Sequence, residues 1–322
     1  PKPMSVGFAV GGYYTLRGRQ SWGMVRCHSY RNRPGQADLL HLDLWWRGVN
    51  VLRDSGTFAY YDPPLHWGRY FISTAAHNTV VVGGTDQMKK GSRFRWYTLP
   101  RTKVLCHRAE ETAAMAYWQG EHYGYRRLPS RAVHRRGVAR VGEAVWAIVD
   151  EVIGTGEEDV ELWWQLADGA LSLSEETTRL LTPEGEVCLT VLSESPSVRR
   201  LWHGHDEDGL RAGWQSLTYG VRRPGNAMSA SMRSPLPVRW VTLVILGHRV
   251  ETKPDWVGGH IDWQLDDGST GAIRLSKPGG RQMVRNIVCG TRTWDIAREG
   301  VDVPAIRHTD PAASQRKGLD HE

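Results

Sequence analysis

Residues Arg31 to Gln87 read RNRPGQADLLHLDLWWRGVNVLRDSGTFAYYDPPLHWGRYFISTAAHNTVVVGGTDQ. Side chains alternate across a strand, so apolar and polar residues in alternation mark a half-buried strand. Taken as one strand, Gln36 to Trp46 points Gln36, Asp38, Leu40, Leu42 and Leu44 one way, and Ala37, Leu39, His41, Asp43 and Trp45 the other. Trp46-Arg47-Gly48 is a turn signal, Val49 to Arg53 a second strand, and Asn78 to Val82 a third that stops at Gly83-Gly84. On this parity His41 and Asp43 share a face, as a surface hydrogen-bonded couple or as two ligands of a metal.

The same texture extends outward in both directions. Strand candidates are Gly12 to Leu16, Trp22 to Tyr30, Lys103 to His107, Val145 to Val152 and Val160 to Leu166, then Glu186 to Leu192, Val238 to Leu246, Thr270 to Leu275 and Arg281 to Val288. Helix signals are scarce: Glu110 to Tyr117 reads as one helical turn, but Gly120 and Gly124 follow at once. The pattern predicts an all-β fold, a large multi-stranded antiparallel β-sandwich of the supersandwich kind, with more than one layer or a very wide sheet. Softer composition marks residues 201–226. The sandwich is expected over 1–294, and 295–322, rich in Pro, Asp, Ser, Gln and Lys, as a loosely ordered tail.

Composition narrows the function classes. The chain has 322 residues and a formal charge of +6, with Arg supplying 34 of its 41 basic residues. Arginine pairs bidentately with carboxylates and sulfates, which fits an acidic polymer, although short clusters also fit a solvated surface. No recognition-helix or zinc-finger pattern points to nucleic acid, and no apolar run reaches the length of a membrane span. Cys27, Cys106, Cys188 and Cys289 lie 79, 82 and 101 positions apart, which is no metal-knuckle spacing, and they read as buried thiols. The chain opens on Pro1 with no start Met or signal-like segment, so it reads as a piece of a longer protein.

Chemistry-bearing residues gather where strands end. Asp54, followed by Ser55-Gly56-Thr57, either caps its own turn or serves a site. His77 and Asn78 stand just before an apolar strand, where a histidine is a satisfied core residue or a functional one. Trp45, Trp46, Trp67 and Trp96 either pack in the core or stack on sugar rings.

These residues, in order, resemble the C-terminal β-sheet domain of heparinase II/III-like polysaccharide lyases. The resemblance rests on Gly35-Gln36-Ala37-Asp38-Leu39-Leu40, Leu52 to Phe58, Arg69-Tyr70-Phe71, Ser73 to Val82 and Asp86-Gln87, about a quarter of the chain. It implies an enzyme in two parts, an upstream helical α/α toroid and this β domain, with a cleft between them that cleaves uronic-acid polysaccharides by β-elimination. It also implies a periplasmic or cell-envelope home, and heparin-like, alginate-like or bacterial exopolysaccharide substrates. The toroid would supply much of the base and acid.

Family members carry a His-x-His-x-Asp element, one histidine facing the cleft and the other holding a structural zinc with a later Asp and His. Here the aligned element is Pro34-Gly35-Gln36-Ala37-Asp38, which lacks both histidines. The resemblance thus leaves Asp54 and His77 as metal positions, with Gln36 in place of the third ligand. Such a set either holds a weaker metal or becomes a hydrogen-bond network, and the reading requires no cofactor. His41, of odd parity relative to Gln36, is expected on the opposite strand face. Arg69, His77, Asn78 and Tyr61 (or its neighbour Tyr60) are the expected substrate-binding residues. Two rival readings are a noncatalytic carbohydrate-binding or scaffold module that lost its histidines, and a hydrolase using Asp54 with Asp62.

Overall fold

Along Val145–Ile153 the side chains of Trp146, Ile148 and Val152 enter one core while those of Val145, Ala147 and Val149 enter another. A strand buried on both faces reads as a near-continuous apolar run, as this one does. It lies at the heart of a 9-stranded sheet, ordered Ala170–Ser174, Thr177–Thr182, Gly185–Ser193, Val238–Leu246, Val145–Ile153, Val133–Val141, Met115–His122, Thr102–Ala109 and Val301–Asp302. The computed structural model describes residues 5–60, 67–92, 95–109, 114–175, 177–252, 254–296 and the backbone of 301–302.

One face of this central sheet packs on a second 9-stranded sheet, built from Gly7–Phe8, Tyr13–Arg17, Ser21–Arg26, Leu42–Trp46, Val49–Leu52, Glu157–Leu166, Asn226–Pro235 and Val198–His203, with Val80–Val82 beside Glu157–Leu166. The core between them holds Trp118, Trp146, Trp164 and Trp240, all fully buried. The other face packs on a 6-stranded sheet from Val250–Thr252 to Arg292–Asp295, through Ile261, Trp263, Ile273 and Ile287. The strand pairings of all three sheets are antiparallel, so the protein is an all-β, three-layered antiparallel sandwich. A buried ion pair between neighbouring strands of the central sheet also holds the third layer by its backbone. Arg239 Nη2 lies 2.6 Å from Glu151 Oε1, which also accepts the Gly279 N–H at 2.9 Å, and Arg239 Nη1 donates to the Ser276 carbonyl.

Several expectations change. Of the helical turn expected over Glu110 to Tyr117, residues 110–113 lie outside the described residues, and Met115 to Tyr117 instead open a fully buried strand, Met115–His122. Val133–Val141, with no strand expected, is another; its Arg136 and Arg140 are completely buried, and their polarity hides the strand. The soft stretch at 201–226 forms two small hairpins, His205–Glu207 with Leu210–Ala212 and Trp214–Thr218 with Val221–Pro224. Of the expected tail, Asp295 ends the third sheet, Ile296 is buried in its core, and Val301–Asp302 pairs with Thr102–Ala109. The remainder of the tail lies outside the described residues. Cys27 and Cys188 are buried free thiols, whereas Cys106 and Cys289 are only partly buried. Among the described residues no helix is long and apolar enough to cross a membrane.

Candidate functional site

Three loops at one end of the second 9-stranded sheet converge. The first, residues 36–41, is not strand, because regular pairing begins only at Leu42. It turns through His41 N–H to Asp38 O (3.0 Å), and Leu40 has φ of 60°. Asp38 is fixed by the Tyr30 hydroxyl at 2.6 Å and by Arg26 at 3.5 Å. Gln87, fully buried, clamps the loop like a base pair: its Oε1 accepts the Leu39 N–H and its Nε2 donates to Leu39 O, both at 2.8 Å.

The second loop follows Val49–Leu52. Asp54 Oδ1 accepts the Gly56 N–H at 2.7 Å, an Asx turn. Gly56 has φ of 92°, and a Cβ there would stand 2.0 Å from the Ser216 carbonyl oxygen, so the turn requires glycine. The third loop begins at the 3₁₀ turn Thr74–Ala76, whose first N–H donates to Asp86 Oδ1 at 2.7 Å, and delivers His77 and Asn78.

At the meeting point His77 Nδ1 lies 2.8 Å from Asp54 Oδ2. Burial pushes the Asp54 carboxyl up, but the charge and hydrogen bond of His77, then His41 and the Gly56 N–H, outweigh it and hold the group at about 2. Burial pushes His77 down, and the Asp54 carboxylate outweighs that too, leaving the imidazole raised above its ordinary value. The pair is therefore carboxylate and imidazolium over a window reaching to either side of the ordinary values. His41 completes a cluster with Asp54 and His77 whose ligand atoms all lie within 4.8 Å of one another. This corrects the strand-parity expectation for His41. Parity does not run through a turn, and the adjacent Leu39 and Leu40, both fully buried, were the sign that alternation breaks there.

Gln36, expected as the third member of the set, is not in the cluster: its Nε2 donates to Gly56 O at 3.0 Å and Thr57 Oγ1 at 3.4 Å. The hydrogen bonding of His41 is not that of a metal ligand. A ligating imidazole uses its second nitrogen as an N–H donor to an acceptor. The second nitrogen of His41, Nδ1, instead accepts the Asn78 N–H at 2.9 Å, which places the proton of a neutral ring on Nε2, the atom a metal would need. The cluster is held by the His77–Asp54 pair and the Asn78–His41 hydrogen bond, while His41 Nε2, like His77 Nε2, has no hydrogen-bond partner among the described residues.

The other expected residues separate by exposure. Asn78 is fully buried: its Nδ2 donates to Leu42 O (2.9 Å) and Arg53 O (3.1 Å), and its Oδ1 accepts the Gln165 N–H. Its amide is spent inside the chain, so it braces the loops and does not reach a substrate. His77 is equally buried. Arg69, on the short helix Trp67–Phe71, is exposed and forms no ion pair with another described residue. Tyr60 is 74% exposed, while Tyr61 and Asp62 lie outside the described residues. Trp46 and Trp67 are core residues; Trp45 and Trp96 are half-buried, and Trp96 donates its indole N–H to the Pro34 carbonyl at 2.9 Å.

Comparison with known proteins gives consistent matches. Residues 1–257 match the family model described as heparinase II/III-like, C-terminal. A curated relative, a heparin-sulfate lyase of Bacteroides stercoris, is 24% identical over 261 residues, covering 76% of this chain and 34% of the relative. Among solved structures, a heparinase III (BT4657 gene product) superposes with a TM-score of 0.68 at 18% identity, covering 86% of this chain and 42% of that one. The heparan sulfate lyase HepC of Pedobacter heparinus superposes with a TM-score of 0.64 at 14% identity, covering 96% and 44%. The structural likeness establishes a shared fold. The chain spans about a third of the curated relative's length and less than half of the solved ones.

Proposed function

The chain belongs to the heparinase II/III-like family through its C-terminal domain, and from that premise we propose that it is the β-sheet part of a lyase that cleaves an acidic, uronate-containing polysaccharide by β-elimination. The observation that carries the reading is the family match across residues 1–257. The curated relative's name, heparin-sulfate lyase, favours a sulfated glycosaminoglycan over alginate as the substrate.

The C5 proton of a uronate is too weakly acidic to leave until its carboxylate is neutralised, so the reaction needs a positive group at the carboxylate, a base at C5 and an acid at the leaving oxygen. In this chain the exposed Arg69 guanidinium is suited to the first task. His77 is too buried and Asp54 too firmly paired to move the C5 proton, so the base and acid belong to an upstream part, for which a helical toroid is the proposal. The Asp54–His77 pair fixes two of the three loops that form this domain's share of the cleft. A periplasmic or envelope location follows as part of the same proposal.

The binding-module reading keeps one specific observation. Where the family resemblance implies a cleft-facing histidine stands Pro34, whose ring carries no titrating proton and whose carbonyl is engaged by Trp96. The ultraviolet absorbance of unsaturated uronate ends, followed on a panel of acidic polysaccharides with the gene product containing this chain, decides between the two. A rise supports the lyase; tight binding without a rise supports the module.

A further inference from the structure

We propose that Arg136 is a positioning residue for the Asp54–His77 pair, reaching from the central sheet through the inter-sheet core to hold both histidine loops by their carbonyl groups. Its Nη1 donates to Leu40 O at 2.7 Å and also to Asn78 O. Leu40 immediately precedes His41, and Asn78 immediately follows His77. One nitrogen therefore ties together the two segments that carry the imidazoles, and the Asn78 N–H to His41 Nδ1 bond closes the same link from the other side.

The rest of the guanidinium is held rigidly. Arg136 stands directly opposite Asp150 in the antiparallel register, with Nε 2.7 Å from Oδ1 and Nη2 3.0 Å from Oδ2, both side chains fully buried. The carboxylate is aimed in turn by a directional chain. Gly124 N–H donates to His122 Nδ1 (3.2 Å), so His122 carries its proton on Nε2 and donates to His134 Nδ1 (3.3 Å). His134 then donates from Nε2 to Asp150 Oδ1 (2.7 Å). Burial lowers both imidazoles, so the charges in this seam are those of Arg136 and Asp150.

A buried ion pair is a poor route to stability compared with apolar packing. What this one adds is a fork with a spare arm, which a lysine head cannot reproduce. Leu40, a residue with Cβ held at φ of 60°, is the kind of strained position that persists only when its surroundings over-determine it.

The inference rests on reading the Asp54–His77 pair as the fixture of the cleft loops, but its test needs no polysaccharide. In the double variant Arg136→Met/Asp150→Asn no buried charge is left unpaired, so melting stays near that of the parent chain. Hydrogen exchange and histidine ring-nitrogen spectra of the whole chain should then show the Asn78 amide losing its protection and the His41 and His77 signals shifting, while amides of Val145–Ile153 keep theirs. Arg136→Lys, which retains the charge beside Asp150, should fail to restore the Asn78 amide or the ring signals, and it carries the test if the double variant does not fold. Unchanged Asn78 protection and unchanged ring signals in a folded variant would overturn the proposal. Failure of the lyase reading would appear in the absorbance assay and leave this comparison intact.

Discussion

Asp54 Oδ2 and His77 Nδ1 are 2.8 Å apart across 23 residues of sequence, one at the end of a strand and the other at the exit of a 3₁₀ turn. That one contact fixes the relative placement of two loops, and its two ionisations move in opposite directions from their ordinary values.

Its pH dependence follows. Asp54 is held below 3.8, at about 2, so its stabilisation is complete above 3.8 and is lost as pH falls through about 2. His77 is raised above 6.5, so its stabilisation is complete below 6.5 and is lost as pH rises through the raised value. The carboxyl shift corresponds to roughly 2 kcal/mol, reduced to about 1 kcal/mol because 34% of the side chain meets screening solvent. Urea midpoints of the parent and Asp54→Asn should therefore differ most between 3.8 and 6.5 and converge on either side. A difference that is flat with pH would contradict the pairing.

Metal content tests the hydrogen-bond assignment at His41. With Nδ1 accepting the Asn78 N–H, the chain should purify with far less than one zinc per molecule, and chelation should leave its melting temperature unchanged. One tightly held zinc, with a fall in melting temperature on chelation, would show that His41 turns its other tautomer to a metal.

Gly56→Ala is expected to cost at least about 2 kcal/mol, because positive φ is unfavourable for alanine and the new Cβ meets a carbonyl oxygen that belongs to backbone. Denaturant unfolding measures it. A neutral substitution would mean that the Asp54 turn relaxes freely.

Arg69→Ala should leave melting unchanged, since the side chain is exposed and forms no ion pair among the described residues. It should lower the salt concentration at which the protein leaves a heparin column. Equal elution would remove Arg69 from the binding surface.

Much of this architecture was legible from alternation, and where it was not the physical reasons are specific. Val133–Val141 is hidden because Arg136 and Arg140 are core residues, and hydropathy cannot register that Arg136 pairs with Asp150 on the neighbouring strand while Arg140 reaches Glu143 in the adjoining turn. Asp54 and His77 were legible as a pair through the family resemblance. His41 does not lie on the face that strand parity predicts, because the chain turns at Leu39-Leu40 before the strand begins at Leu42. Asn78 looked like a binding residue because an asparagine beside a histidine at a strand edge does not reveal that its amide will brace three backbone segments.

The most direct test of the account is the ultraviolet absorbance of unsaturated uronate ends, released from heparan-type polysaccharide by the whole gene product that contains this chain. The account predicts a rise with the parent protein and a slower one with Arg69→Ala. Binding of the polysaccharide with no rise across heparan-type, alginate and exopolysaccharide substrates would contradict it and leave a sugar-binding sandwich without lyase chemistry.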